Sequence, residues 1–163
     1  MTNQGKREAM VMVQSPFQSN LKELYEIDDY LWVERTIELL KEKKLNELDI
    51  ENLIEELEDL GRERKNKVES LLRQIIIHLL LLEYWSQESQ YNASHWQAEI
   101  TEFRFQINGI LTKNLKSYLA SKIELIYQNS VKYTQRKTNL NMFPEKCPYT
   151  LEQLLDEDWF PTK

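Results

Sequence analysis

The stretch Asp49 to Leu82, DIENLIEELEDLGRERKNKVESLLRQIIIHLLLL, decides the fold. Its apolar residues Ile50, Leu53, Ile54, Leu57, Leu60, Val68, Leu71, Leu72, Ile75, Leu79 and Leu82 recur every three or four positions, the interval at which side chains share one face of an α-helix. Asp49 can cap its start. The phase survives Gly61, so the stretch reads as one long helix, with a break at Gly61 as the alternative. Seven carboxylates crowd its first half: Asp49, Glu51, Glu55, Glu56, Glu58, Asp59 and Glu63. On a helical wheel Glu55, Asp59 and Glu63 lie opposite the apolar stripe, and Glu51, Glu58 and Glu56 flank it. They do not converge, and they read as a solvated face rather than an acidic site. Glu58 with Arg62 and Glu63 with Lys67 add acid-first i, i+4 pairs, each worth roughly 0.2–0.5 kcal/mol.

One residue contradicts the stripe. Arg64 falls at its centre, one turn from both Leu60 and Val68, and a buried guanidinium needs an acidic or carbonyl partner. The expectation is that Arg64 meets a carboxylate, with Asp28, Asp29 or Glu38 the first candidates, or that it marks a break at Gly61. Gly61 would permit either, through a close helix approach or a left-handed cap.

Outward from this helix the same period continues. Val33, Thr36, Ile37 and Leu40, widened by Trp32 and Leu39, predict a helix from Asp28 or Asp29 to about Lys44. SQESQYNAS, after Tyr84 and Trp85, reads as a polar loop. Ser94 with Gln97 forms a capping box ahead of Trp96, Ile100, Phe103, Ile107, Ile110 and Leu111. Asn114 can start a further helix through Leu115, Tyr118, Leu119, Ile123, Ile126 and Ser130, ending near Arg136. Thr150 with Gln153 caps a short one through Leu151, Leu154 and Leu155. The expected fold is all-α: an antiparallel helical bundle of about four main helices plus a short C-terminal helix. Residues 1–24 read as a flexible N-terminal arm and residues 25–163 as a single bundle domain.

Composition agrees. In 163 residues there are only three glycines and four prolines, too few for a turn-rich β protein. The net charge of −6, from 27 acids and 21 bases that alternate in sign along the chain, disfavours a duplex DNA partner. The single cysteine, Cys147, excludes an intramolecular disulfide and fits a reducing compartment, so a cytoplasmic location is expected. No signal peptide is read at the N-terminus. The apolar runs Ile75 to Ile77 and Leu79 to Leu82 fall short of the roughly 20 residues a membrane span needs.

Chemical signatures are sparse. Two histidines, His78 and His95, cannot supply two Glu-x-x-His units, and no His-Glu-x-x-His motif exists, so no metal and no cofactor is expected. His78, at the stripe's edge, reads as a hydrogen-bonded core histidine, and His95 as exposed. Lys146 beside Cys147 would favour a thiolate, but no histidine is placed near it by sequence. Phe105 falls on the far side of its helix from Trp96, Phe103 and Ile107, which suggests a second packing surface for the C-terminal tail or a partner.

The segments YEIDDYLWVERTIELLKEKKLNELDIENLIEELEDLG, LLRQIIIHLLLLEYW, SHWQAEITEFRFQI and FPEKCPYTLEQLLDEDWFP, in that order and spacing, together resemble the bacterial domain-of-unknown-function family 29. The resemblance runs from about Tyr25 to Pro161, and Asp28, Trp32, Asp49, Glu51, Asn52, Leu53, Glu55, Gly61, His78, Trp96, Pro144, Pro148 and Leu155 carry it. One departure is LTKNLKSYL, where such proteins tend to have a Pro-Ser-Leu turn. The resemblance implies an all-helical bacterial domain and brings no activity, substrate or cofactor with it.

Three functional expectations follow. The first is a non-catalytic helical interaction module that self-associates through an apolar or aromatic face, with a homo-oligomer (dimer) or a protein partner expected. The second is a ligand-binding domain or enzyme whose site forms only in three dimensions, drawn from Asp28, Asp29, Glu51, Asn52, Glu55, Arg64 and His78. The third and weakest is nucleic-acid association through Arg62, Arg64, Lys65, Lys67 and Arg73, or through Lys113, Lys116, Lys122, Lys132, Arg136 and Lys137.

Overall fold

The structure, a computed structural model, describes residues 20–162. Residues 1–19 of the expected arm lie outside the described residues, while Leu21 to Leu24 already belong to a helix. Six α-helices and one 3-10 turn make up the regular structure, and no strand occurs among the described residues. The chain divides into two compact units between Asp59 and Leu60.

The first unit begins with α1 (Leu21–Ile27), whose first turn is capped by the Asn20 side chain. Asp28 alone separates it from α2 (Asp29–Lys41). Its carboxylate accepts from the Leu31 N–H at 2.9 Å, satisfying a donor that a helix start leaves orphaned. Helix α2 ends earlier than the sequence suggests, because Lys43 turns left-handed and the Lys44 N–H reaches back to the Leu39 carbonyl. After a 3-10 turn, Leu45–Glu47, Asp49 starts α3 (Ile50–Tyr84). Its carboxylate takes the Asn52 side-chain amide at 2.6 Å. Burial in this unit is thin: Trp32 and Leu39 are its buried apolar residues. Tyr25 meets the Trp32 ring edge-on at 5.1 Å.

Helix α3 is unbroken through Gly61, as its continuous phase predicts. A Cβ at Gly61 would meet nothing within 4 Å, and no described glycine has positive φ, so the expected close approach and left-handed cap are both absent. Arg64 is exposed. The expected burial of this guanidinium is thereby corrected. Periodicity assigned Arg64 to the stripe, but at that level Gly109, Ile110 and Leu115 line only an open pocket with it and leave its side chain exposed.

The second unit carries the dense core. From Val68 to Leu82, α3 buries ten side chains against α4 (Ser86–Ile110), α5 (Lys113–Thr138) and α6 (Leu151–Leu155). Trp85 alone interrupts the chain between α3 and α4, and its ring stacks on Trp96 at 6.1 Å. The expected loop SQESQYNAS is therefore helical, and Ser94 lies inside α4 instead of capping it. Polar residues there needed only a solvent-facing side, which Gln87, Gln90 and Tyr91 occupy while Ser89 turns inward. Thr112, not Asn114, caps α5 through the Leu115 N–H, and the Thr150/Gln153 capping box forms as read. Short connections make α4 antiparallel to α3 and α5 antiparallel to α4, so that α3 and α5 run the same way, with Lys65 over Tyr118 and Arg73 over Tyr133.

Candidate functional site

The buried arginine is Arg104. It occupies the turn between Ile100 and Ile107 on the inner face of α4 and is fully buried. Its Nε donates to the Leu154 carbonyl at 2.9 Å, Nη1 to Trp159 at 2.6 Å and Nη2 to Gln153 at 3.0 Å. Gln153 and Leu154 are in the last turn of α6, whose carbonyls have no partners within the helix. The guanidinium supplies them, and its positive charge suits a helix C-terminus. One turn along, the Asn108 amide donates to Leu155 at 3.0 Å, and Phe160 lies beneath the guanidinium at 5.1 Å. Burial lowers the Arg104 pKa to about 10, opposed by Asp156 and Glu157, so it stays protonated at neutral pH. Arg104 thus holds the C-terminal segment, a structural task. Phe105, one residue on, remains 69% exposed, so α6 docks beside it and not on it. The sequence signal for Arg104 was available: it falls i+4 from Ile100 and i−3 from Ile107.

Of the seven residues from which a three-dimensional site was expected, five have separate partners, and Glu55 and Arg64 are exposed. Asp28 caps α2, and the Asp29 carboxylate accepts from the Tyr30 N–H at 2.8 Å. Glu51 pairs with Lys22 at 2.5 Å, Asn52 binds Asp49, and Glu55 is exposed. Asp28, Asp29, Glu51, Asn52 and Glu55 belong to the first unit, whereas Arg64 and His78 belong to the second. His78 is half-buried, with Nδ1 2.8 Å from the Gln74 carbonyl and its ring 5.5 Å from Phe103. Among the described residues, no three of His, Cys, Asp and Glu are grouped to hold a metal ion. Cys147 departs from the reading that Lys146 favours a thiolate: burial pushes its thiol up to about 11.

Burial depresses the His78 pKa below its ordinary 6.5. A base with a lowered folded-state pKa binds its proton more readily in the unfolded chain, so stability is full above 6.5 and falls as pH drops toward the lower folded value. Urea unfolding at pH about 7.5 and about 5.5 should show that loss, and His78→Phe should flatten it.

What distinguishes the first unit is its exposed apolar face. On α2, Val33, Ile37 and Leu40 are 41%, 44% and 43% exposed; on α3, Ile50, Ile54 and Leu57 are 48%, 51% and 59% exposed. Each set repeats at i, i+4, i+7, so each is one continuous row on its helix. Buried Trp32, Thr36 and Leu39 turn the neighbouring face of α2 inward. Helix α1 closes over another side of α3, where the Tyr25 hydroxyl donates to Glu56 at 2.7 Å and is raised to about 12 by that bond. Trp32, Val33 and Glu56 line one shallow pocket, which places the start of the α2 row beside the Glu56 edge of α3. The sequence marked all six residues as apolar stripe, and periodicity implied that they are buried. They are not.

The family model described as Domain of unknown function DUF29 matches residues 24–160. The chain belongs to that family. A solved structure from Rhodospirillum rubrum, described as an α-helical protein of unknown function, shares the fold of this DUF29 chain with a TM-score of 0.58. It is 21% identical and the match covers 83% of this chain and 90% of that one. No curated protein matches. No helix among the described residues of the DUF29 chain is long and apolar enough to cross a membrane.

Proposed function

We propose that this protein is a non-catalytic helical interaction module whose working surface is the apolar face of the first unit. The observation that carries the reading is the pair of exposed rows, Val33/Ile37/Leu40 and Ile50/Ile54/Leu57, on two helices of one unit. Scattered exposed leucines are ordinary on protein surfaces, but contiguous rows on neighbouring helices mark a binding face. The unit also needs covering. Among its described residues it buries only Trp32 and Leu39 as large apolar side chains, while six others stay open in the two rows.

Photo-crosslinking in the producing cell tests this. A photoreactive residue at Ile54, on the face, should capture protein chains, and the same residue at Glu55, on the far side of α3, should not. Equal yields from the two positions would remove the face from consideration.

A further inference from the structure

The partner's chemistry can be taken further from the charge around that face, an inference that rests on the interaction-module reading. Signs alternate along the sequence, yet the two units partition the charge unevenly. Residues 1–59 hold fifteen acids against seven bases, a net −8, whereas residues 60–163 hold twelve acids against fourteen bases, a net +2. The whole chain's −6 conceals this.

On the helical wheel, acids border the apolar rows. Glu34 and Glu38 follow the α2 row on its outer side, and Glu51 and Glu58 follow the α3 row, all four exposed. Glu38 is paired with Arg35 at 2.8 Å and Glu51 with Lys22, so Glu34 and Glu58 carry most of the rim's open charge. Two exposed aliphatic rows flanked by carboxylates complement an apolar stripe flanked by cations.

The size of the face indicates one helix. Six aliphatic side chains about half exposed present on the order of 300 Å² of apolar surface, taking roughly 100 Å² for full burial of each. A standard interface covers about 800 Å² per partner, a little over half of it apolar, so this face supplies about two thirds of that apolar share. The i, i+4, i+7 repeat of each row matches the rows of a helix laid along it. A second copy docked face to face would instead set two net charges of −8 and two acidic rims against one another within a Debye length. We infer that the apolar face of the first unit takes a basic amphipathic helix from a partner protein.

The test uses the full chain and a synthetic amphipathic helix of about twenty residues, leucine on one face and lysine on the other. Calorimetry and amide chemical shifts should report binding, with shifts at Ile37, Ile54 and Leu57, weakening as salt is raised. Replacing both Ile54 and Leu57 by serine should weaken binding by at least about tenfold, and Glu34→Lys with Glu58→Lys should do likewise. Circular dichroism of each variant checks the helix content, which substitutions at exposed positions should leave intact. A scrambled peptide of the same composition should bind poorly.

Four results overturn the proposal: equal binding of the scrambled peptide, equal or better binding of a leucine-glutamate helix, light scattering showing a dimer that Leu57→Ser dissolves, or a face already closed by residues 1–19. If the lysine helix fails to bind while Ile54 still crosslinks in cells, the partner chemistry is wrong and the interaction surface stands. If Ile54 captures nothing either, both fall.

Discussion

Replacing Arg104 by alanine is expected to lower the unfolding free energy by about 3–5 kcal/mol, the largest loss from any single polar substitution in this protein. The magnitude follows from what is left behind. Three carbonyls, Gln153, Leu154 and Trp159, would lose their donor, and each buried acceptor left unpaired costs roughly 1–3 kcal/mol before water or rearrangement recovers part of it. Phe160 would also lose a cation from its ring face, a further ~0.5–1 kcal/mol. Arg104→Lys should recover only part of this, because one ammonium cannot reproduce the planar fork that reaches three oxygens at once. Urea unfolding gives the loss, and hydrogen exchange should show the α6 segment opening first. An Arg104→Ala protein of unchanged midpoint with α6 still protected would mean that these carbonyls do not depend on the guanidinium.

Trp32→Ala should cost a comparable amount, about 3–5 kcal/mol, but only locally. Trp32 is 1% exposed and is one of two buried apolar residues in the first unit, so its removal takes away most of what that unit buries. The core of the second unit draws on none of it. Amides of α2 should therefore lose protection from exchange while those of α4 and α5 keep theirs. Uniform loss across both units would show that they unfold as one. By contrast, Leu72→Ala, at a fully buried position of α3, should lower the stability of the second unit by roughly 2–5 kcal/mol.

The helices were legible because their causes are local. The apolar period from Ile50 to Leu82 carried the long helix through Gly61, and the caps at Asp49 and Thr150 formed as their side-chain chemistry requires. The errors arose where one local signal met a competing one. Ser94 and Gln97 have capping-box spacing, but one non-helical residue at Trp85 let the chain turn early and made the polar stretch helical. Asn114 is an acceptable cap, and Thr112 already filled the role two residues before it.

Burial was less legible than helix. Arg64 and Arg104 both sit in apolar stripes at i, i+4 spacing, and nothing in their own helices tells them apart. The structure separates them through α6, whose last turn brings free carbonyls to Arg104 and nothing comparable to Arg64. The same holds for Leu57 and Leu72, which share one stripe on one helix, yet one is 59% exposed and the other fully buried. By itself the sequence determined which residues share a face and where most helices start, since both depend on neighbours within a few positions. Which faces are covered, which arginine is enclosed and which apolar rows are left open depended on elements distant in the chain, because burial belongs to two surfaces and periodicity describes only one.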